Sequence, residues 1–138
     1  MNAEWFLDAN ILIYAYDLDA GTKHDTALAL VEEAWEAPTR FAISVQVLQE
    51  FHVNIVRLGR SIADATALVQ DLSHWQVVEN TVDLLHDALA LQDRWQLSLW
   101  DAMVLAAAHT AGARELLTED LNHGQDYGGI VVINLFCE

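Results

Sequence analysis

Trp5-Phe6-Leu7-Asp8-Ala9-Asn10-Ile11-Leu12-Ile13-Tyr14-Ala15-Tyr16 is the stretch from which the fold is read. Its opening residues make a short apolar run suited to a buried strand, and those after Asp8 keep apolar side chains at helical spacing. Asp8 therefore stands where strand gives way to helix, at the strand's carboxyl end. Ligands of open α/β sheets collect in the crevice outside such ends, which makes Asp8 a functional-site candidate. It is equally suited to cap the helix that follows.

The same alternation continues outward. Thr22 to Trp35 puts Ala27, Leu28, Val31, Ala34 and Trp35 on one helical face, with Pro38 beyond its end. Phe41-Ala42-Ile43 is a second strand, leading through the N-cap Ser44 into a helix that runs to about Leu58 and is closed by Gly59. Ser61 caps a helix to about Leu72, and Gln76-Val77-Val78 is a third strand. Thr81 to Trp95 is amphipathic, with Val82, Leu85 and Leu89 at the turn between its faces. Ser98 opens a strongly apolar helix through Ala111, ended by Gly112. Leu116-Leu117 and Ile130-Val131-Val132-Ile133 are the last strands, separated by a polar loop holding Asn122, His123, Gly124, Gly128 and Gly129. Strands alternating with helices predict an α/β fold with a mainly parallel central sheet of four or five short strands, covered on both sides. With no repeat, linker or low-complexity tract, residues 1–138 read as a single domain.

Composition narrows the function. The longest uncharged apolar run, Ala102 to Ala108, is far short of the ~20 residues of a membrane span. The N-terminus lacks the basic region and apolar core of a signal peptide. A single cysteine, Cys137, excludes an intramolecular disulfide framework, so the expected compartment is a reducing cytoplasm. Twenty-one acids against six Lys and Arg give a formal charge of −15, where a nucleic-acid binder ordinarily has a basic face. Four acids in a metal site would leave most of that charge uncompensated.

Asp101 is the only charged side chain between Leu97 and Thr110, in a helix whose apolar faces mark it as buried. Ser98 with an acid three residues on resembles a capping box, but caps and dipole effects are worth about 1 kcal/mol each, against several for desolvating an ion. Glu50 lies opposite the face made by Leu48, Phe51, His52 and Ile55, where a solvated glutamate is also common. Thr118-Glu119-Asp120 follows the strand ending at Leu117, and pattern alone does not separate Glu119 from Asp120. Two of these positions lie at strand ends and two on covering helices, places that share one edge of a parallel sheet. Carboxylates converging within about 4 Å repel by roughly 4 kcal/mol per pair at an effective dielectric of about 20. Such a cluster binds either protons or a metal, and all-oxygen ligands suit Mg²⁺ or Mn²⁺.

Leu7-Asp8-Ala9-Asn10-Ile11-Leu12, Gln49-Glu50-Phe51, Leu97-Ser98-Leu99-Trp100-Asp101-Ala102 and Leu117-Thr118-Glu119-Asp120-Leu121-Asn122-His123-Gly124-Gln125, in this order and spacing, resemble a PIN-domain ribonuclease, most closely the VapC-type toxins of toxin–antitoxin pairs. The resemblance spans essentially the whole chain and implies a three-layer α/β/α fold. It implies hydrolysis of RNA phosphodiesters with one or two Mg²⁺ or Mn²⁺ ions. It assigns Asp8, Glu50, Asp101 and Asp120 as catalytic metal ligands, with Asn10, Thr118 and, less directly, Ser44 in support. It also implies a protein antitoxin and a homodimer, and the helix bearing Leu28, Val31 and Trp35 is the candidate grip for the antitoxin. Asn134-Leu135-Phe136 departs from the Asn-Pro-Phe common in this family, a difference that bears on local chain geometry.

Two rival functions are weighed against this. A binding module that keeps the acids but grips a partner suits the acidity, since phosphate contacts normally dominate RNA affinity. A haloacid-dehalogenase-like phosphohydrolase also begins with an aspartate after its first strand, but it needs a second one where this chain has Asn10, and a lysine where only Lys23 exists. His52 and His109 show no zinc spacing and read as core-edge residues. The serines lack a nucleophile elbow, and Gly128-Gly129 is too short to cradle a phosphate. The five tryptophans read as core or interface residues.

Overall fold

Apolar runs of three or four residues make poor isolated strands, and here they are gathered into one buried sheet. The computed structural model describes residues 1–137. The chain runs β1 (Trp5–Leu7), α1 (Ala9–Tyr16), α2 (Thr22–Glu36), a 3₁₀ turn (Pro38–Arg40), β2 (Phe41–Ser44), α3 (Val45–Arg57) and α4 (Ile62–Leu72). It continues through β3 (Gln76–Val78), α5 (Val82–Trp95), α6 (Leu99–Thr110), β4 (Glu115–Leu117) and β5 (Val131–Ile133). Among the described residues the five strands pair in parallel, in the order β3-β2-β1-β4-β5.

That order accounts for the layers. From β1 to β3 the chain steps one way across the sheet, and from β3 to β4 it returns past β1 to the other side. Right-handed crossovers then put α1 to α4 on one face and α5 with α6 on the other. The packing agrees: α1 contacts α2 and α3, α3 contacts α4, and α5 lies along α6. The result is a three-layer α/β/α fold. The order reverses between β1 and β4, so the crevice beyond their carboxyl ends is where a ligand site belongs. Leu7 pairs with Leu117, which sets Asp8 and Thr118 side by side at that point.

Phe6, Leu7, Phe41, Ile43 and Leu116 of the sheet are fully or almost fully buried. Ile11, Leu12, Phe51, Ile55 and Leu105 close over them from the helices. Ser44, Ser61, Thr81 and Ser98 each accept a hydrogen bond from the N–H three residues on, at 3.2, 3.0, 3.0 and 3.1 Å. Each cap contributes on the order of 1 kcal/mol and fixes where its helix begins. Gly112, at φ +70°, makes the turn after α6, where a Cβ would stand 2.9 Å from the Met1 carbonyl oxygen. No helix among the described residues is long and apolar enough to cross a membrane.

Several sequence expectations are corrected. Of the three residues proposed to grip an antitoxin, Val31 lies in the chain's own core and is not part of a free surface, whereas Leu28 is half-buried and Trp35 is exposed. Trp35, partly exposed, packs edge-on against Trp75 at 5.0 Å. On α5 the buried residues are Leu84 and Ala88, while Val82, Leu85 and Leu89 are exposed. His52 does sit at the core edge, but His109 is exposed in the last turn of α6. The Asn134 side chain shapes the turn after β5, accepting from the Phe136 N–H at 2.9 Å.

Candidate active site

Asp8 follows β1 directly and is 4% exposed. Its Oδ1 accepts from the Ala9 N–H at 2.7 Å, so it caps α1. Its Oδ2 accepts from the Thr118 hydroxyl at 2.8 Å. The two readings of this residue are thus compatible, since one carboxylate oxygen starts a helix and the other is held by Thr118 at the end of the neighbouring strand β4. Burial pushes the Asp8 carboxyl up to about 7; the hydrogen bonds from Thr118 and Ala9 oppose this, while the charges of Asp120 and Glu50 add to it.

Thr118 is buried at the end of β4 and acts as the hub. Besides donating to Asp8, its hydroxyl oxygen accepts from the Asp120 N–H at 3.1 Å and from Asn10 Nδ2 at 3.2 Å. Asn10, in the first turn of α1, also donates from Nδ2 to Asp120 Oδ2 at 3.2 Å. Its Oδ1 is buried and has no hydrogen-bond partner among the described residues. A buried amide oxygen left bare at the edge of an acidic crevice is an acceptor still lacking its donor or cation.

Glu50 and Asp101 enter from opposite helical layers. Glu50, half-buried on α3, accepts from Gln46 Nε2 at 3.1 Å, and the same nitrogen donates to the Trp100 carbonyl at 3.2 Å. Gln46 thus ties α3 to the first turn of α6. Asp101, in that turn, is only part-buried, less deep than the apolar helix around it suggests. Partial burial and then the charge of Asp120 raise its carboxyl, against a hydrogen bond from Ser98. Asp120 itself is exposed, so the acids run from a buried Asp8 to a rim open to solvent.

Glu119 points elsewhere. It pairs with Lys23 of α2 at 2.9 Å and accepts a short hydrogen bond from the Tyr14 hydroxyl. Lys23 also lies over the rings of Tyr14 and Phe136, at 4.9 and 5.5 Å from their centroids. Ser44 is buried, and its hydroxyl caps α3 by accepting from the Val47 N–H. Gln46 was not singled out from sequence. Its signal is its place one turn before Glu50, on the same face of α3, where it is buried.

The donors gathered here are all oxygens, and every charged group acting on Asp8 is another acid. That chemistry fits a hard divalent cation. Among the described residues no three His, Cys, Asp or Glu side chains are drawn into a closed group that holds an ion as they stand.

The family model of the PIN domain matches residues 5–125. The chain belongs to the PIN domain family. Its PIN fold is similar to a toxin–antitoxin complex from Klebsiella pneumoniae, with 28% identity, TM-score 0.65 and coverage of 95% of this chain and 97% of that one. DNA-bound VapBC from Salmonella typhimurium shares the fold at 16% identity and TM-score 0.69, covering 96% and 98%. VapC20 of Mycobacterium tuberculosis, described as a sarcin-ricin loop cleaving toxin, matches at 20% identity and TM-score 0.63, covering 81% and 86%. None of the curated proteins compared with this PIN domain matches it.

Proposed function

We propose that this PIN domain, acting as one domain over residues 1–138, is a divalent-metal-dependent ribonuclease and the toxin of a toxin–antitoxin pair. The observation that carries the reading is the buried Asp8 carboxylate, surrounded by acids and neutral donors with no basic side chain acting on it. A buried charge of that kind is costly unless a cation joins it. Asp8, Glu50, Asp101 and Asp120 would hold one or two Mg²⁺ or Mn²⁺ ions. Bound there, such an ion supplies Lewis-acid activation of water and of the phosphodiester.

The chain's own residues supply the orientation. Ala9 N–H and the Thr118 hydroxyl hold the two Asp8 oxygens, Asn10 steadies Asp120, and Gln46 steadies Glu50. Ser44 supports the site indirectly by fixing the start of the helix that carries Glu50. No protein nucleophile is needed. Likeness to the Klebsiella pneumoniae toxin–antitoxin complex supports a protein antitoxin as partner. RNA as substrate, self-association as a homodimer and a cytoplasmic location belong to the same proposal.

The expected result is cleavage of structured RNA by the purified chain with Mn²⁺ or Mg²⁺, and none in EDTA. A rise in Tm with Mn²⁺ but no cleavage of any RNA would instead favour a binding module, the reading that the −15 charge suits.

A further inference from the structure

Trp100 is 66% exposed on the first turn of α6, directly before Asp101. The other four indoles are engaged. Trp5 donates to Glu115 and lies against Phe41 and Arg40, Trp35 packs on Trp75, and Trp95 lies between Tyr127 and Arg94. The Trp100 indole makes no hydrogen bond or ring contact among the described residues, although its backbone carbonyl is held by the same Gln46 amide that holds Glu50. Its backbone is therefore fixed relative to a candidate ligand while its ring is left in water. Helical side chains lean toward the helix N-terminus, and that end of α6 is the one carrying Asp101.

Charge explains why such a ring is wanted there. Lys23 is committed to Glu119, Arg40 to Glu4 and Arg60 to the Tyr16 carbonyl, and none of the six Lys and Arg is bonded to Glu50, Asp101 or Asp120. A strand crossing this edge meets acids and few cations, so phosphate contacts cannot supply the usual share of RNA affinity. Stacking on an aromatic face needs no cation and accepts any base.

We infer that Trp100 is a substrate-binding residue on which an unpaired RNA base next to the scissile phosphodiester stacks. This rests on the ribonuclease reading and narrows its substrate class to RNA whose target base is single-stranded or splayed out. A base held in a duplex cannot offer its face to the ring.

The test compares wild type, Trp100→Phe and Trp100→Ala on a short single-stranded RNA and on the same strand annealed to its complement. Cleavage is followed with Mn²⁺, and binding in EDTA by anisotropy of the labelled strand and by quenching of indole emission. Trp100→Ala is expected to raise KM and weaken single-strand binding roughly tenfold, the loss of one base–aromatic stack, with kcat and Tm little changed. That loss is expected to be alike at low and high salt, because no ion pair is removed. Trp100→Phe keeps most of the affinity but loses the quenched emission, and the duplex is a poor substrate for all three. Equal KM for wild type and Trp100→Ala, with both cleaving, overturns the stacking role and leaves the nuclease standing. Unchanged RNA binding with lost self-association also overturns it and assigns the ring to a protein interface. Wild type that neither binds nor cleaves these RNAs, and cleaves no structured RNA with Mn²⁺ or Mg²⁺, overturns the nuclease reading, and the stacking role falls with it.

Discussion

Glu119 and Asp120 are neighbours in the chain with opposite surroundings. Partial burial pushes the Glu119 carboxyl up, but hydrogen bonds from Tyr14 and Lys23 outweigh it and hold the group below its ordinary value. Lys23 in turn is raised by the same contact with Glu119. Asp120 faces Asn10 and adds its charge to Asp8 and Asp101, both held above their ordinary values, burial being the larger cause in each. One cluster carries its own cation and the other has none. In a chain with six basic residues, the lone lysine is spent on the acid beside the crevice rather than on the acids within it. The first cluster is thus a closed internal pair, and the second is a charge deficit open to something from outside.

The largest expected difference between the clusters is in activity. Asp101→Asn is expected to reduce Mn²⁺-dependent RNA cleavage to background while Tm holds or rises, because one repulsion is removed. Glu119→Gln should keep cleavage within a small factor of wild type. Equal losses from the two substitutions, measured on one RNA under one metal concentration, would erase the distinction.

Next in size is the pH dependence of stability without metal, which has opposite sign in the two clusters. Asp8 binds a proton more tightly folded than unfolded, so stability falls as pH rises from about 4 through about 7, and the full cost is present above that. A rise from 3.8 to about 7 corresponds to at most roughly 4 kcal/mol. Asp8→Asn should remove that fall and be the more stable protein at pH 8, as read from urea midpoints across the range. Glu119, with its lowered value, contributes stability that is present above its unfolded value of 4.5 and is lost as pH falls below it. An Asp8→Asn protein whose pH profile overlays wild type would show that this carboxylate is not under strain.

Metal should act on one cluster alone. Mn²⁺ at about a hundred times its dissociation constant is expected to stabilise wild type by about 2.7 kcal/mol. That gain should vanish on EDTA treatment, shrink in Asp8→Asn and Asp120→Asn, and persist in Glu119→Gln. The smallest effect belongs to the closed pair itself. Lys23 is exposed at its charged end, and surface ion pairs are worth little. Lys23→Met should lower Tm slightly, with the difference fading in high salt, and leave Mn²⁺ binding intact; a large loss of metal affinity would instead make the pair a brace for Asp120.

What could be read along the chain was whatever depends on neighbours in sequence. Ser44, Ser61, Thr81 and Ser98 cap helices by bonding three residues ahead, and Gly59 and Gly112 end them, so element order and most boundaries were legible. Asp8 at a strand end was legible for the same reason. Helical periodicity, however, reports that a stripe is apolar and not what covers it. Val31 proved to be buried in the core, whereas Val82, Leu85 and Leu89 proved to be exposed.

The sequence by itself determined that four acids would fall at one edge of a parallel sheet, because strand ends and helix starts alternate along the chain. Only the tertiary structure separated Asp120 from Glu119 on physical grounds, since the lysine that claims Glu119 is 96 residues away. It alone showed that Gln46 braces Glu50 against Trp100, and that the Trp100 ring is left bare. Hydrogen-bond partners and exposure are set by what folds across from a residue, and local sequence does not carry that information.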